Sequence, residues 1–268
     1  SEIFKEVEFP REWHHDLKKY CEDISIDFST SPYDFEAVDL CETLDLPYIK
    51  IGSGEITWLE MIDYVARKNK PIILSTGDAT MAEVDDAVKT IINTGNKDLI
   101  LLQCITNYPS KIESANINVL KTYQTAFNVL TGYSDHSPGD LVILGSIALG
   151  GCVVEKHFTL NKNDKGPDHP HSLNPKEFSE MVTNIRLMEK ALGSSRKDVV
   201  EEEQETVFVQ RRGLYAIKEI KKGNIITEKC INVLRPALGI LPKYKHLIVG
   251  RRASSNIKKG EPIYWKDI

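Results

Sequence analysis

Gly132-Tyr133-Ser134-Asp135-His136, followed by Val154-Glu155-Lys156-His157-Phe158 and then Gly166-Pro167-Asp168-His169, is the stretch whose reading decides the fold. The first two segments are short strand-like runs that reach a histidine, and the third is an acidic Gly/Pro loop. In a parallel α/β barrel the carboxyl ends of the strands form one rim, and chemistry sits on that rim. Two imidazoles set there by successive strands can share one divalent metal. A single histidine at a strand end is ordinarily packed or solvated. Two on consecutive strands, each beside an acid, point to a site.

Outward from this stretch, short apolar runs alternate with amphipathic ones from Cys21 to Leu192. The apolar runs predict strands over Ile24–Ser29, Tyr48–Gly52, Ile72–Thr76, Leu99–Cys104, Val129–Tyr133 and Cys152–His157. Helices are predicted near Pro10–Tyr20, Asp34–Leu44, Thr57–Lys68, Met81–Asn93, Ile117–Phe127, Asp140–Leu149 and Pro175–Ala191. This alternation is that of βα units around a parallel sheet. Asp78 or Thr80 can cap the helix that carries Glu83, Asp85 and Asp86 near its positive end. Pro175 suits a first helical turn. A closed barrel needs eight strands, so the fold expected is α/β, a TIM-type (β/α) barrel lacking its first two βα units. Residue 1 is Ser, and a preceding segment of roughly 60 residues is expected on the same count.

The chain has 268 residues, a net charge of −5 and an apolar fraction of 41%. That balance, with a pI near 5.9, argues against a nucleic-acid partner. No apolar run approaches the roughly 20 residues of a membrane span. The opening Ser1-Glu2-Ile3-Phe4-Lys5-Glu6 is charged, unlike a signal peptide. Five scattered cysteines (Cys21, Cys41, Cys104, Cys152, Cys230) lie mostly in apolar segments. They fit the reduced, buried thiols of a cytoplasmic protein.

A polar linker, 194–206, separates the barrel domain (1–193) from a tail domain (207–268). The tail is an internal repeat: Ala216-Ile217-Lys218-Glu219-Ile220-Lys221-Lys222-Gly223 returns as Ala253-Ser254-Ser255-Asn256-Ile257-Lys258-Lys259-Gly260. Two copies are too few for a solenoid. They suit a small pseudo-symmetric β domain with each Lys-Lys-Gly at a turn.

Tyr48-Ile49-Lys50-Ile51-Gly52-Ser53-Gly54-Glu55 puts a lysine on an apolar strand. Facing inward, its ammonium needs a counter-ion, which a phosphate or carboxylate would supply; facing outward, it would only snorkel between helices. The turns Ser53-Gly54 and Ser75-Thr76-Gly77 are expected to leave backbone amides open to an anion. Gln103 to Pro109 offers polar side chains for a polyol, although a turn explains it equally. Asp168 can orient water at a metal, although an acid in a Gly-Pro loop is ordinarily a turn former. His169 and His171 read as solvated loop residues.

The motifs together resemble the sialic acid synthase family, which includes N-acetylneuraminate, legionaminate, pseudaminate and spore-coat polysaccharide synthases. The resemblance rests on Tyr48–Glu55 (YIKIGSGE), Ile73–Gly77 (ILSTG), Cys104–Pro109 (CITNYP), Gly132–His136 (GYSDH), Glu155–Phe158 (EKHF) and Gly166–Asp168 (GPD). The tail, with Leu234-Arg235-Pro236, resembles the antifreeze-like or SAF domain, a β-clip fold. The resemblance implies condensation of phosphoenolpyruvate with an N-acetylated amino sugar such as N-acetylmannosamine, for surface polysaccharide synthesis. It implies a divalent metal on His136 and His157, manganese first, with magnesium or cobalt as alternatives. Lys50, with Ser31, Ser53, Ser75 and Ser134, would hold phosphoenolpyruvate. Glu55, Thr106 and Tyr108 would face the sugar, and Asp168 the metal site or substrate. Arg235 would come from a partner subunit of a domain-swapped homodimer.

Two departures qualify the resemblance, one of them Thr106, which falls where some relatives have Asn or Ser and so bears on the sugar contacts. Family members carry a further acid and lysine on their first two barrel strands, which nothing in this chain supplies. Asp168-His169-Pro170-His171-Ser172 resembles the sialate, legionaminate and spore-coat branches more than the pseudaminate branch. Two competing readings are a sugar- or anion-binding fragment without turnover, and a lyase using Lys50 as a Schiff base.

Overall fold

A computed structural model describes residues 9–268; the charged opening of the chain lies outside the described residues. The chain divides after Gly193 into two compact units.

The first unit opens with α1 (Trp13–Asp23) and α2 (Phe35–Thr43). It continues as β1 (Ile49–Ile51), α3 (Leu59–Ala66), β2 (Ile72–Ser75), α4 (Met81–Asn93), β3 (Leu99–Cys104) and α5 (Val119–Phe127). Then come β4 (Leu130–Asp135), α6 (Leu141–Ala148), β5 (Val153–Lys156) and α7 (Pro175–Leu192). The five strands pair in parallel and in chain order, β1-β2-β3-β4-β5. A doubly wound sheet would reverse its order part-way. Steady progression in one direction is the winding of a (β/α) barrel, and these strands form part of one.

Local signals set the element boundaries. Thr80 caps α4 through a reciprocal box with Glu83, and Asn174 does the same for α7 with Glu177. Asp34 accepts from the Ala37 amide at the start of α2. Each box satisfies amide donors that the first helical turn leaves unpaired.

Ile24–Ser29 is not a strand. Ile24 and Ile26 are 47% and 59% exposed, and the Ile26 amide bonds back to the Cys21 carbonyl. The segment is tied to the edge of the sheet by a side chain, Ser29 Oγ donating to the Tyr48 carbonyl at 3.3 Å. Apolar content alone overstated it, because a strand also needs a backbone partner. The cysteines need correcting too. All five are free thiols, but only Cys41 and Cys104 are buried, and Cys152 is exposed.

The core lies between sheet and helices. Ile49, Ile51, Ile72, Leu74 and Leu101 pack on Met61, Val65, Val84 and Ile91. Tyr133 joins Leu120, Ile143 and Met181 farther along. Period-two alternation sends the opposite side chains to the other face of the sheet. Gly132 lets β4 and β5 approach: a Cβ there would lie 2.0 Å from the Val153 carbonyl oxygen and 2.7 Å from Leu102 Cδ2. Gly132→Ala is therefore expected to cost at least about 2 kcal/mol, the overpacking range. Urea unfolding checks this; an unshifted midpoint would show that the strands can separate freely.

The second unit holds α8 (Gln204–Gln210), β6 (Gly213–Ala216), β7 (Ile231–Leu234) and α9 (Lys245–Ile248). β6 and β7 are antiparallel, Gly213 opposite Leu234 and Ala216 opposite Ile231. The two sequence repeats bond to each other reciprocally. Ile220 and Ile257 exchange amide-to-carbonyl bonds of 2.9 and 2.8 Å. Gly223 donates to Ala253 at 2.7 Å, and Gly260 to Ala216 at the same distance. Both glycines have positive φ, 86° and 88°, so each Lys-Lys-Gly does close a turn.

Candidate active site

The sheet face opposite the helical core opens at the carboxyl ends of the strands into a cavity of about 640 Å³. In register across the sheet, Cys104 of β3 lies beside Ser134 of β4, and Ser134 beside Glu155 of β5. Alternation then places His136 two residues beyond Ser134 and His157 two beyond Glu155 on the same face. Lys50 from β1, Ser75 from β2, and the histidines after β4 and β5 all line this cavity.

Lys50 faces inward. Its side chain is 12% exposed and stands 3.6 Å from Glu155. Nζ donates to Ser75 Oγ and to the Ile51 carbonyl, both at 2.8 Å. Burial pulls this ammonium below its ordinary pKa, and the Glu155 carboxylate opposes the shift. Burial raises the Glu55 carboxyl. Ser31, Ser53, Glu55, Thr106 and Tyr108 complete the wall. Thr106 Oγ1 is buried without a hydrogen-bond partner, a hydroxyl free to meet a ligand.

His136 and His157 stand with ring centroids 5.1 Å apart. His136 Nδ1 lies 3.0 Å from the Ile105 carbonyl. A carbonyl only accepts, so Nδ1 carries the proton and Nε2 keeps its lone pair. Desolvation holds both imidazoles below their usual pKa, with Asp168 opposing this at His157. Neutral imidazole is the metal-binding form. Asp168 Oδ2 is 3.6 Å from His157 Nδ1. Neutral nitrogens beside a carboxylate fit a divalent cation.

Several expectations need correcting. The Gly77 amide is not open to an anion, because it donates to Ser53 Oγ at 2.9 Å. Gln103 faces away from the cavity: alternation with Cys104 turns it toward the helices, where Nε2 meets the Ala115 carbonyl at 3.4 Å. His171 is not solvated; its side chain is 5% exposed. Arg235 is not among these corrections: it lies in the second unit, the tail in which the sequence places it, where Nε donates to the Gln210 carbonyl at 2.8 Å. Sequence reasoning also missed Glu155 as a wall residue, although its spacing of two from His157 was the available signal. Asp135 and Lys156 were missed as well. They form an ion pair at 2.6 Å with each side chain 1% exposed, directly before the two histidines.

The NeuB family profile matches residues 1–197, and the SAF domain profile residues 211–268. The chain belongs to the NeuB family. This NeuB-family chain is 39% identical over 264 residues to N,N'-diacetyllegionaminic acid synthase of Campylobacter jejuni, covering 98% of the chain and 79% of that enzyme. It is 38% identical to pseudaminic acid synthase of Helicobacter pylori, covering 100% of the chain and 78% of that enzyme. The crystal structure of a spore coat polysaccharide biosynthesis protein E from Chromobacterium violaceum superposes with a TM-score of 0.81 at 26% identity, covering 99% of the chain and 80% of that protein. Overall identity separates the legionaminate and pseudaminate branches by one percentage point, so it does not choose between them. Among the described residues, no helix is long and apolar enough to cross a membrane.

Proposed function

We propose that the cavity joins phosphoenolpyruvate to the open-chain aldehyde of an N-acetylated amino sugar, giving a nine-carbon 2-keto sugar acid and phosphate. The observation that carries this reading is a largely enclosed lysine, Lys50, lining the same cavity as the paired imidazoles of His136 and His157. The lysine suits an anion and the imidazoles suit a cation, so the site is built to hold opposite charges side by side.

In this reading Lys50 binds the phosphoenolpyruvate anion, replacing part of its contact with Glu155. Ser75, already bonded to Lys50, supplies a hydroxyl along with Ser31, Ser53 and Ser134. Glu55, Thr106 and Tyr108 orient the sugar so that its aldehyde carbon meets carbon 3 of phosphoenolpyruvate. Carbon 3 forms the new bond and carbon 2 becomes electron-poor. Water adds at carbon 2, the carbon–oxygen bond to phosphate breaks, and the aldehyde oxygen takes up a proton. Asp168, on the His157 side, orients water or substrate there. A divalent cation held by His136 and His157, manganese first, would supply Lewis-acid polarisation of the aldehyde oxygen. The same reading assigns Arg235 to the sugar, delivered by a second copy of the chain.

The test is phosphate release from phosphoenolpyruvate with manganese and N-acetylmannosamine, with and without EDTA, repeated with other acetamido sugars. Release that needs both sugar and metal is expected. Binding without release for every sugar would leave an anion- and sugar-binding protein instead.

A further inference from the structure

The loop after β5 brings a third imidazole to the rim. Asp168 opens a short 3-10 turn, His169–His171, with Pro170 inside it. The Ser172 amide and hydroxyl both return to the Asp168 carbonyl, at 3.1 and 2.7 Å. Closed in this way, the turn carries residues 168 and 171 to the same side.

His171 is nearly enclosed, yet its Nε2 has no hydrogen-bond partner. A buried ring nitrogen left unpaired is costly unless something fills the position. Its separation from Asp168 Oδ1 is 4.0 Å, and the other oxygen, Oδ2, is 3.6 Å from His157 Nδ1. The His157 and His171 rings stand 5.0 Å apart. One donor atom from each of His157, Asp168 and His171 lies within 4.8 Å of the other two.

These separations are too long for hydrogen bonds. Two metal bonds of about 2.1 Å place their donor atoms at most about 4.2 Å apart. Asp168 meets that limit through a different oxygen toward each ring, Oδ2 toward His157 and Oδ1 toward His171. The trio of single donor atoms, within 4.8 Å, would contract by a few tenths of an ångström to share one cation. His157 also neighbours His136, so it stands between two possible imidazole partners.

We propose that His171 is a direct ligand of the site's divalent cation, with His157 and Asp168. The set is two nitrogens and a carboxylate oxygen, which leaves positions open for substrate oxygens. The proposal rests on the reading that this cavity holds a cation, and it shifts that cation's protein contacts toward the loop after β5. The second nitrogen of this set is supplied by His171, so losing it should weaken cobalt or zinc, which imidazole suits, more than magnesium or manganese, which the carboxylate of Asp168 suits.

The test is calorimetric titration of the EDTA-stripped chain with Co²⁺ and with Mn²⁺, together with the visible d–d absorption of bound Co²⁺. No substrate is present. His171→Gln and His171→Ala are each expected to weaken Co²⁺ binding by about 100-fold, since loss of even a supporting partner costs about 10–100-fold. Both should alter the cobalt spectrum, and Mn²⁺ should be affected less. Unchanged circular dichroism and an unchanged unfolding midpoint in EDTA establish that both variants fold; the glutamine keeps most of the side-chain volume if alanine does not. Wild-type Co²⁺ affinity and spectrum in either folded variant would overturn the proposal, and loss on His136→Ala alone would place the cation between His136 and His157. Phosphate release is scored separately. If cobalt binding depends on His171 but phosphoenolpyruvate is never consumed, the ligand assignment stands and the synthase reading falls.

Discussion

Lys50→Met is expected to lower phosphate release from phosphoenolpyruvate by about 10²–10³-fold, the usual cost of removing a pre-set electrostatic contact. Two effects add. The variant removes the cation that faces the cavity, and it leaves Glu155 without its partner 3.6 Å away. The remaining carboxylate then repels an anionic substrate. A Lys50→Met/Glu155→Gln double variant should therefore regain part of the phosphoenolpyruvate affinity without regaining turnover. Steady-state KM and kcat, with direct titration of phosphoenolpyruvate, separate these terms. A Lys50→Met protein that binds and consumes phosphoenolpyruvate like the parent would remove the lysine from the anion site.

The second large effect concerns stability. Asp135→Ala is expected to cost about 3–5 kcal/mol, because it strands the Lys156 charge in a nearly solvent-free position. Asp135 and Lys156 are register neighbours across β4 and β5. Lys156 also donates to the Ser137 carbonyl, and Asp135 accepts from the Ser137 amide at 2.9 Å. The pair thus ties together the strand ends from which His136 and His157 project. Replacing both partners by apolar residues of similar volume, Asp135→Leu with Lys156→Met, should cost far less than either single change. Denaturant unfolding of the parent, Asp135→Leu, Lys156→Met and the double variant forms the double-mutant cycle. A single-variant loss below about 1 kcal/mol, as for an exposed pair, would contradict the burial argument.

Much of the sheet was legible because helix and strand periods differ. Met81–Asn93 and Leu99–Cys104 are found with the bounds that their patterns predict. Ile24–Ser29 was misread because its apolar residues said nothing of a neighbouring backbone. The site was legible where it is carried by strands. Lys50, Ser134, His136 and His157 follow from strand ends and period two. It was illegible where a turn decides. Whether His171 is solvated or enclosed beside His157 depends on how Asp168 to Ser172 closes, and spacing along the chain does not contain that. Gln103 shows the converse: its neighbour Cys104 already faces inward, so strict alternation could have removed it from the site.

The crossed hydrogen bonds of the second unit have an evolutionary consequence. Ala216 receives from Gly260 and donates to the Glu261 carbonyl, while Ala253 receives from Gly223 and donates to the Asn224 carbonyl. Each half satisfies the other at equivalent positions, which is the isologous pattern of a two-fold dimer written into one polypeptide. A half-length ancestor with this sequence would have found its complement only in another copy of itself. Within one polypeptide the intervening chain tethers the two halves, so the encounter no longer depends on concentration. The repeat still reads as Ala-x-x-x-Ile-Lys-Lys-Gly in both halves because the alanine, isoleucine and glycine are the positions where the halves meet.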